Sequence, residues 1–599
     1  HKLFYKHPLA QRAQHTLMSV FKLPQLLQTV LLLSLCAFTQ MATANSSQQP
    51  NVVFIICDDL NDFSSVFGGH PQALTPHMSS FAESAVTFQH AYSNNPVCAP
   101  SRASIYTGIY PHTSNNLFWA KWFDNPVLKN SKTMMEFFKE NGYHVVGTGK
   151  NEHDHRRADW DFYKSKTDYG PYWSKGGGDR SANPWVPEPM ASVGPIDGSF
   201  GPLRMDHECQ PEGAGWKYSW GKDQLLDFSD PQTRDLTPDE LNAEWAAQTL
   251  KAHANDASAK PLFLAVGFVR PHTPLHVPQE YFDLFPEDAV QLPEGMANDA
   301  ADTFLKTADA SDGKGKDKGY YYYKLLEESY GSAEAGVKKF LRAYLASVAA
   351  VDDCIGTVID AVNQNGLADN TIIIVTSDHG WDMGQKGYLF KNTLWEDSTR
   401  IPMIIRAPGS SQAGQTTQQP VSLIDVYPTL VDLCNLQGDT RKNDQGAPLD
   451  GFSMRPLLAN PEAGQWDGPD GALTMRFAGP QNNHVPTRQH WAYRTERYRY
   501  IIYNDGNEEL YDHANDPHEW HNLASNPEFK ALKAQLNKAI FDQLPSKEDG
   551  LKVTKKAKEA EKGDAEKWKN SYFKKHPEAD TNNDGVLSWL EFQKHKKGS

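Results

Sequence analysis

The 599-residue sequence lacks a basic surplus, and it has no hydrophobic run long enough to cross a bilayer. Its formal net charge is -15, from 59 Lys and Arg residues against 74 Asp and Glu residues. Non-specific nucleic-acid binding needs a basic surface, so this charge argues against such partners. Hydrophobic residues at 39% and aromatic residues at 11% predict a folded globular protein with a large core. Any anionic ligand must therefore be bound by local cations.

The longest apolar run, Leu26 to Phe38, is short for a membrane span. Lys22 precedes it and Ala42-Thr43-Ala44 follows it, which is typical of a secretory signal with a small-residue cleavage site. We therefore predict that residues 1–44 comprise an upstream segment and a signal peptide that begins at Met18. The mature protein is predicted to be secreted or periplasmic, with no stable membrane anchor.

Cysteine is scarce, with six residues in the whole chain. Cys36 lies within the predicted signal, so the mature chain keeps Cys57, Cys98, Cys209, Cys354 and Cys434. Export permits disulfides, but an odd number leaves at least one thiol over. That thiol needs another explanation.

From Asn51 onward, short apolar runs alternate with helical segments. Five runs are apolar on both faces, as expected for central strands of a parallel sheet covered by helices. They are residues 52–57, 144–148, 262–269, 371–377 and 402–406. Helices are predicted around residues 76–86, 131–141, 239–255 and 334–364. The predicted fold class is α/β, a doubly wound and mostly parallel sheet sandwiched by helices.

The sequence beyond the signal divides into three predicted parts. Residues 50–480 form the main α/β domain, and its insertion at 160–235 is dense in Gly, Pro and aromatic residues. Residues 487–545 form a smaller C-terminal α+β subdomain, because aromatic alternation around an Asn504-Asp505-Gly506 turn predicts an antiparallel sheet. Residues 546–599 comprise a Lys/Glu-rich helix and an EF-hand-like loop.

Acidic side chains follow two of the predicted strands. Asp58 and Asp59 follow the first strand, and Asp378 and His379 follow the strand at 371–377. Ligands of open parallel sheets bind at the carboxyl ends of the strands, so these residues are expected to meet. Because uncompensated carboxylates repel one another, the pattern favours a divalent-metal site. Three oxygen ligands and one imidazole favour a hard cation such as calcium, while magnesium, manganese and zinc stay open.

Cationic side chains follow the other strands or lie near them: Lys150, His153, Arg270, His272 and Lys391. Together with a divalent cation, Arg102, Lys150 and Lys391 outweigh the three carboxylates in charge. The predicted site therefore suits a singly charged ester as substrate.

The most specific motif is Cys98-Ala99-Pro100-Ser101-Arg102, with Thr107-Gly108 behind it. A cysteine just before a helix start lies in a positive dipole potential, which favours a polarised nucleophile; a buried thiol is the alternative. The motif resembles the signature of the type I sulfatases of the alkaline-phosphatase superfamily. In that family the cysteine is oxidised to formylglycine, which accounts for the cysteine left over.

The resemblance extends over about residues 50 to 525. It includes Asp58-Asp59, Gly149-Lys150 with His153, Arg270-Pro271-His272, Ser377-Asp378-His379-Gly380-Trp381 and Lys391. Within the family, the sequence looks most like the iduronate-2-sulfatases and the bacterial polysaccharide sulfatases of the ulvan type. Asn151-Glu152 departs from the aromatic or apolar residues that are usual between Lys150 and His153.

The resemblance implies a role for each of these residues. Cys98 becomes formylglycine through a formylglycine-generating or anaerobic sulfatase-maturing enzyme, and Arg102 holds the resulting nucleophile. The catalytic Ca²⁺ is bound by Asp58, Asp59, Cys98, Asp378 and His379. The sulfate group is bound by Lys150, Lys391 and His272. His272, alone or together with Lys391, is the candidate acid for the departing sugar oxygen, and His153 is the candidate base for sulfate release.

The expected function is hydrolysis of the O-sulfate esters of a sulfated carbohydrate, with an algal polysaccharide such as ulvan as the candidate. A phosphomonoesterase or phosphodiesterase of the same superfamily is the alternative enzyme, but it normally uses a threonine or serine nucleophile. A non-catalytic protein that binds sulfated glycans is the other alternative, although it predicts a broken set of catalytic residues.

The C-terminal segment fits a twelve-residue calcium loop of the EF-hand type. Its predicted ligands are Asp580, Asn582, Asp584, Val586 through its carbonyl, Ser588 and Glu591, with Gly585 at the sixth position. A single loop without a partner suggests a structural or docking role. We therefore predict a second Ca²⁺ site that takes no part in hydrolysis.

Overall fold

The computed structural model describes residues 49–176, 179–205, 212–219, 224–295, 298–304, 318–462, 464–479, 485–545, 571–581, 587 and 595. The segment at 1–44, with its predicted signal peptide, lies outside them. Within the predicted calcium loop, Asp580 is described, whereas Asn582, Asp584, Val586, Ser588 and Glu591 lie outside the described residues. None of the described helices is both long and apolar enough to cross a membrane.

The strands of the described chain are, in order, β1 (Asn51–Asp58), β2 (Val86–Phe88), β3 (Ala91–Tyr92), β4 (His144–Gly149), β5 (Phe162–Tyr163), β6 (Tyr172–Ser174), β7 (Phe200–Leu203), β8 (Gly215–Lys217), β9 (Leu262–Pro271), β10 (Leu275–Pro278), β11 (Thr371–Ser377), β12 (Asp382–Met383), β13 (Leu389–Phe390), β14 (Arg400–Ile401), β15 (Met403–Arg406), β16 (Gln415–Thr417), β17 (Val421–Ser422), β18 (Gly471–Arg476), β19 (His490–Thr495), β20 (Tyr498–Ile502) and β21 (Glu508–Asp512). Each of the five predicted apolar runs forms a strand.

The α-helices are α1 (Pro76–Ala82), α2 (Cys98–Thr107), α3 (Pro111–Ser114), α4 (Met134–Glu140), α5 (Pro238–Ala254), α6 (Gln279–Asp283), α7 (Lys318–Tyr330), α8 (Ala333–Gln364), α9 (Glu396–Thr399), α10 (Val426–Leu433), α11 (Arg455–Ala459) and α12 (Lys530–Asp542). The four predicted helices correspond to α1, α4, α5 and α8. Both α4 and α5 begin with a capping box, in which a threonine and a glutamate three residues later bond each other's backbone N–H.

The main sheet has eight strands in the order β16-β2-β15-β11-β1-β9-β4-β5. From β11 to β5 the neighbours are parallel, whereas β15 is antiparallel to both β11 and β2. The run at 402–406, expected to be parallel, is therefore antiparallel. The reason is that burial on both faces makes a strand apolar whatever its direction.

Helices cover both faces of this sheet. In β1, Val53 and Ile55 join one core cluster with α5 and α8, whereas Phe54 and Ile56 join another with α2, α4 and α10. Successive side chains of a strand point to opposite faces, so a strand covered twice must be apolar throughout. The three layers confirm the prediction of a mixed α/β fold with a large, mostly parallel sheet.

A four-stranded antiparallel sheet follows, in the order β18-β19-β20-β21. Strands β19 to β21 lie where the sequence predicts antiparallel pairing, but β18 precedes that segment and was not predicted. Helix α12 packs on this sheet, with Leu536 and Ile540 in one core cluster with Leu473 and Trp491.

Two glycines allow the carboxyl ends of β4 and β9 to approach each other. A Cβ on Gly267 would lie 2.1 Å from the backbone carbonyl carbon and oxygen of Lys150. A Cβ on Gly149, whose φ is 78°, would lie 1.9 Å from the Gly267 carbonyl oxygen. The Lys150 N–H donates to that same oxygen at 2.8 Å. This close approach fixes the Lys150 backbone at the edge of the sheet.

We predict that Gly267→Ala lowers the free energy of unfolding by about 1–3 kcal/mol, because the added methyl group overpacks this contact. Gly295→Ala is the matched control, since a Cβ there meets no atom within 4 Å. Denaturant unfolding of both variants and the parent protein measures the difference. Equal stability of Gly267→Ala and the parent would contradict the close approach.

Candidate active site

The carboxyl ends of β1 and β11 bring acidic side chains together. Cys57 of β1 pairs with Ser377 of β11, so the residues that follow each strand are neighbours. Asp378 Oδ1 accepts the Asp59 N–H at 3.2 Å. Asp59 has a φ of 65°, a left-handed conformation that aspartate adopts more readily than most residues. The side chains of Asp58, Asp59 and Asp378 are fully buried.

Arg102, in the second turn of α2, joins two of these carboxylates. Its Nε lies 2.8 Å from Asp378 Oδ2, and its Nη2 lies 3.3 Å from Asp58 Oδ1. The same guanidinium donates to the carbonyl oxygens of Lys150 and Asn151, the latter at 2.9 Å. Arg102 therefore connects helix α2 to the ends of three strands.

Two lysines complete the pairing of charges. Lys150 Nζ contacts Asp58 Oδ2, and Lys391 Nζ lies 2.7 Å from Asp59 Oδ1. Both ammonium groups are almost fully buried. Although burial opposes their charge, the neighbouring aspartates raise the pKa of each lysine, so both stay protonated.

Cys98 is the first residue of α2 and lies in the middle of these charges. Its Sγ is 3.2 Å from His379 Nε2 and 3.2 Å from Lys391 Nζ. Burial raises the pKa of this thiol despite the nearby lysines. A protonated thiol is a poor nucleophile, so the encoded side chain is not activated as it stands.

The free thiols Cys57, Cys354 and Cys434 are also buried, and Cys209 lies outside the described residues.

The donor set fits a divalent cation. Ligand atoms of Asp58, Cys98, Asp378 and His379 lie within 4.8 Å of one another, and an overlapping set joins Asp58, Asp59, Cys98 and His272. All five predicted metal ligands are thus gathered at one point. Carboxylate oxygens with one imidazole are donors that suit a hard or borderline cation.

The electrostatics of the carboxylates agree with this fit. Burial raises the pKa of Asp59 to about 8, even with Lys391 and His379 beside it. Burial also opposes ionisation of Asp58, but the charges of Lys150 and Arg102 outweigh it and hold the pKa of Asp58 well below its usual range. Lys391 therefore offsets the burial of Asp59 only in part, and a divalent cation would supply further positive charge.

His272 points into the same space from the loop after β9. Its Nδ1 lies 2.5 Å from the Thr273 carbonyl oxygen, so that nitrogen carries the proton. Its Nε2 lies 3.8 Å from Asp59 Oδ2 and 4.0 Å from Asp58 Oδ2. Burial and the charge of Lys391 hold the pKa of His272 well below its usual range. The imidazole is therefore neutral, with the Nε2 lone pair towards the site.

His153 lies further out than the other predicted residues, with its side chain 30% exposed. Its Nδ1 is 3.5 Å from Asp154 Oδ2, and its ring is 4.9 Å from that of Trp119, which is 51% exposed. Burial and the charge of Lys150 lower the pKa of His153. The imidazole is therefore neutral, the form that can act as a proton acceptor.

The pair Asn151-Glu152, which departs from the usual aromatic or apolar residues, makes hydrogen bonds next to the site. Asn151 Oδ1 accepts the Tyr106 hydroxyl at 3.0 Å, and its backbone carbonyl accepts Arg102. Glu152 Oε2 accepts the Trp160 indole N–H at 3.1 Å. Asn151 therefore hydrogen-bonds to α2, the helix that carries Arg102, whereas Glu152 bonds to Trp160 just before β5.

Tyr169, in the insertion, reaches the site and was not predicted. Its ring centroid lies 5.1 Å from Lys150 Nζ and 5.0 Å from the His272 ring. Arg270, expected to be a cation of the site, instead anchors this segment, with Nη2 donating to the Gly170 carbonyl at 2.9 Å. The aromatic richness of the insertion was a signal, but it did not distinguish Tyr169 from its neighbours.

The family of the chain follows from its match to known proteins. Residues 50–436 match the family model described as Sulfatase, and residues 384–546 match N-sulphoglucosamine sulphohydrolase, C-terminal. The chain belongs to the sulfatase family. The predicted recognition as a sulfatase, and thus as a sulfuric ester hydrolase, is confirmed. Sulfatases of this family generally use formylglycine and a divalent metal.

Several curated relatives cover most of the chain. A sulfatase of Formosa agariphila is 33% identical over 503 residues, which is 82% of this chain and 87% of the relative. An ulvan-active sulfatase of the same organism is 27% identical and covers 92% of this chain and 88% of its own length. Iduronate 2-sulfatase of Mus musculus is 28% identical over 69% of this chain and 74% of its own length. The predicted likeness to these two kinds of sulfatase is confirmed.

The fold is also that of a solved structure described as a complex with its substrate D-glucosamine-2-N, 6-O-disulfate. The TM-score is 0.56 at 20% identity, over 84% of this chain and 99% of that one. At this identity the likeness concerns the fold alone.

We predict that Asp378→Asn lowers metal content and reduces turnover of a sulfate ester by about 100-fold or more. Loss of a residue that only hydrogen-bonds a metal ligand already lowers metal affinity or activity by about 10- to 100-fold. Asp425→Asn is the matched control, because this buried carboxylate caps a helix through the Ser422 N–H. Metal analysis and steady-state kinetics after chelation and return of calcium make the measurement. Full turnover of exhaustively metal-free parent protein would contradict a metal site here.

Proposed function

We propose that this protein hydrolyses O-sulfate esters of a sulfated carbohydrate by means of formylglycine at position 98 and a catalytic Ca²⁺. The observation that carries the proposal is the position of Cys98. Its side chain lies in a buried pocket, 3.2 Å from both His379 Nε2 and Lys391 Nζ. A thiol gains little from these neighbours, whereas the oxygens of a hydrated aldehyde would be bound by both a cation and a hydrogen-bond donor.

The charges of the site suit a sulfate ester. The three buried carboxylates are balanced by Arg102, Lys150 and Lys391. A divalent cation therefore leaves the pocket with a positive surplus, which attracts a monoanionic ester and favours the charge that develops on the sulfuryl oxygens. We assign sulfate binding to Lys150, Lys391 and His272, which face the same space.

Formylglycine, as its hydrate, supplies one hydroxyl to attack sulfur and a second hydroxyl to expel sulfate and restore the aldehyde. The divalent cation supplies Lewis-acid polarisation of the reacting oxygens. Arg102 orients the formylglycine hydrate through its ion pairs with Asp58 and Asp378. Removal of the proton from the second hydroxyl is assigned to His153, whose lowered pKa keeps it neutral.

Departure of the sugar oxygen requires a proton donor. Lys391 is protonated and lies next to Cys98, whereas His272 in its resting state has no proton on Nε2. A bound sulfate ester places negative charge beside His272 and favours the imidazolium. We therefore propose that Lys391 and His272 share the role of acid, with His272 protonated only in the substrate complex.

We propose a sulfated polysaccharide such as ulvan as the substrate. The ulvan-active sulfatase of Formosa agariphila, matched over 92% of this chain, supports this choice. Two aromatic side chains near the site, Tyr169 and the exposed Trp119, offer flat apolar faces of the kind that pack on sugar rings. Use of such a polymer agrees with a secreted or periplasmic enzyme. Conversion of Cys98 to formylglycine requires a formylglycine-generating or anaerobic sulfatase-maturing enzyme as partner.

The domain division is proposed as follows. Residues 50–480 form the catalytic domain, 487–545 the antiparallel-sheet subdomain and 546–599 the appended helix and calcium loop. The second family match ends at residue 546, which supports the last of these boundaries. The loop is proposed to bind a second Ca²⁺ for structure or docking.

We predict that activity depends on conversion of Cys98, because a single hydroxyl or thiol cannot both attack sulfur and eject sulfate. The mature peptide should have lost H₂S and gained one oxygen relative to cysteine, as read by mass spectrometry. Cys98→Ser should show no multiple turnover, while Cys354→Ser, a buried thiol on α8, should remain active. Sustained turnover by Cys98→Ala would refute the mechanism.

We predict that Tyr169→Ala lowers kcat/KM by about tenfold on a sulfated saccharide, from loss of a buried cation–π contact of roughly 1–2 kcal/mol with Lys150. Tyr169→Phe keeps the ring and should lose less. Kinetics of both variants on one defined substrate separate the ring from its hydroxyl. Unchanged kcat/KM in Tyr169→Ala would mean that the insertion does not support Lys150 at this point.

A further inference from the structure

A cluster of metal-ligating side chains lies in the C-terminal appendage, beyond the catalytic residues. It comprises His576, Glu578 and His595, whose ligand atoms lie within 4.8 Å of one another. Both family matches end before this segment, at residues 436 and 546. The cluster is therefore not explained by sulfate hydrolysis.

The two imidazoles converge on one carboxylate oxygen. His576 Nδ1 lies 3.1 Å from Glu578 Oε1, and His595 Nε2 lies 3.4 Å from the same atom. The second separation is longer than an ordinary N–H···O hydrogen bond. Zinc–ligand bonds of about 2.0–2.1 Å in a tetrahedron imply ligand-to-ligand separations of about 3.3–3.4 Å. The separations around Glu578 Oε1 thus suit a shared tetrahedral ion.

The far side of His595 is also arranged as in a metal site. The Tyr572 hydroxyl lies 3.1 Å from His595 Nδ1, which leaves Nε2 towards Glu578. In metal sites, a partner on the second ring nitrogen usually fixes the tautomer and the orientation of the imidazole. The ligand side chains are 22% to 59% exposed, so an ion can reach them from solvent.

We propose that His576, Glu578 and His595 form a binding site for a borderline divalent transition-metal ion such as zinc. Two imidazoles and one carboxylate suit such an ion, with water in the fourth position, whereas the neighbouring loop from Asp580 to Glu591 offers the oxygen donors of a calcium site. The site takes one ligand from beyond that loop and two from before it. Zinc therefore links the two ends of the loop, independently of calcium.

The test uses the full-length protein, saturated with calcium and titrated with zinc in equilibrium dialysis. The double variant His576→Ala/His595→Ala should bind one zinc fewer per chain than the parent. His518→Ala/His521→Ala is the matched control, because these two exposed histidines each contact a single carboxylate, Glu294 and Asp516 respectively. The control should keep the zinc stoichiometry of the parent.

Cobalt(II) provides a second readout, since four-coordinate cobalt absorbs visible light far more strongly than hydrated cobalt. This absorption should fall in His576→Ala/His595→Ala. Glu578→Gln should bind cobalt(II) at least about tenfold more weakly than the parent, as expected for loss of one charged ligand. Sulfate-ester turnover equal to that of the parent verifies the fold of each variant. Equal zinc stoichiometry and affinity in the parent and the double variant would overturn the proposal.

Discussion

The burial of three carboxylates at adjoining strand ends is the constraint on which the rest of the site depends. Moving a single ion out of water costs several kcal/mol even after the protein relaxes, unless partners of opposite charge offset the cost. Here each carboxylate pairs with at least one cationic side chain, and Arg102 pairs with two of the carboxylates. Because Arg102 lies on α2 and Lys150 at the end of β4, charge pairing also fixes the helix that carries Cys98 against the sheet.

This constraint explains why local sequence predicted so much of the site. In a parallel sheet the carboxyl ends of the strands meet at one edge, so residues directly after β1, β4, β9 and β11 had to come together. Asp58 ends β1, and Lys150, His272 and Asp378 directly follow β4, β9 and β11. No long-range information was needed to group these residues. The fold class was predictable for a related reason, since strands covered by helices on both faces are apolar throughout.

The features that were not predicted depend on tertiary packing. The direction of β15 leaves no trace in its composition, and β18 becomes a strand only by pairing with β19. Tyr169 is one of many aromatic residues in the insertion, and only the anchoring of that segment by Arg270 selects it. Arg270 was predicted to be a cation of the site, because the sequence does not reveal which carbonyl groups lie within reach of its guanidinium.

The surroundings of the Cys98 thiol do not favour thiol chemistry. Burial raises the pKa of Cys98 although two lysines lie nearby, so the pocket does not stabilise a thiolate as thiol-dependent enzymes do. Its neighbours are hard carboxylate ligands and protonated cations, which interact more strongly with oxygen than with sulfur. The same pocket thus disfavours cysteine chemistry and favours an oxygen nucleophile at the same carbon. This mismatch between residue and environment is the physical reason for expecting the side chain to be converted before the enzyme acts.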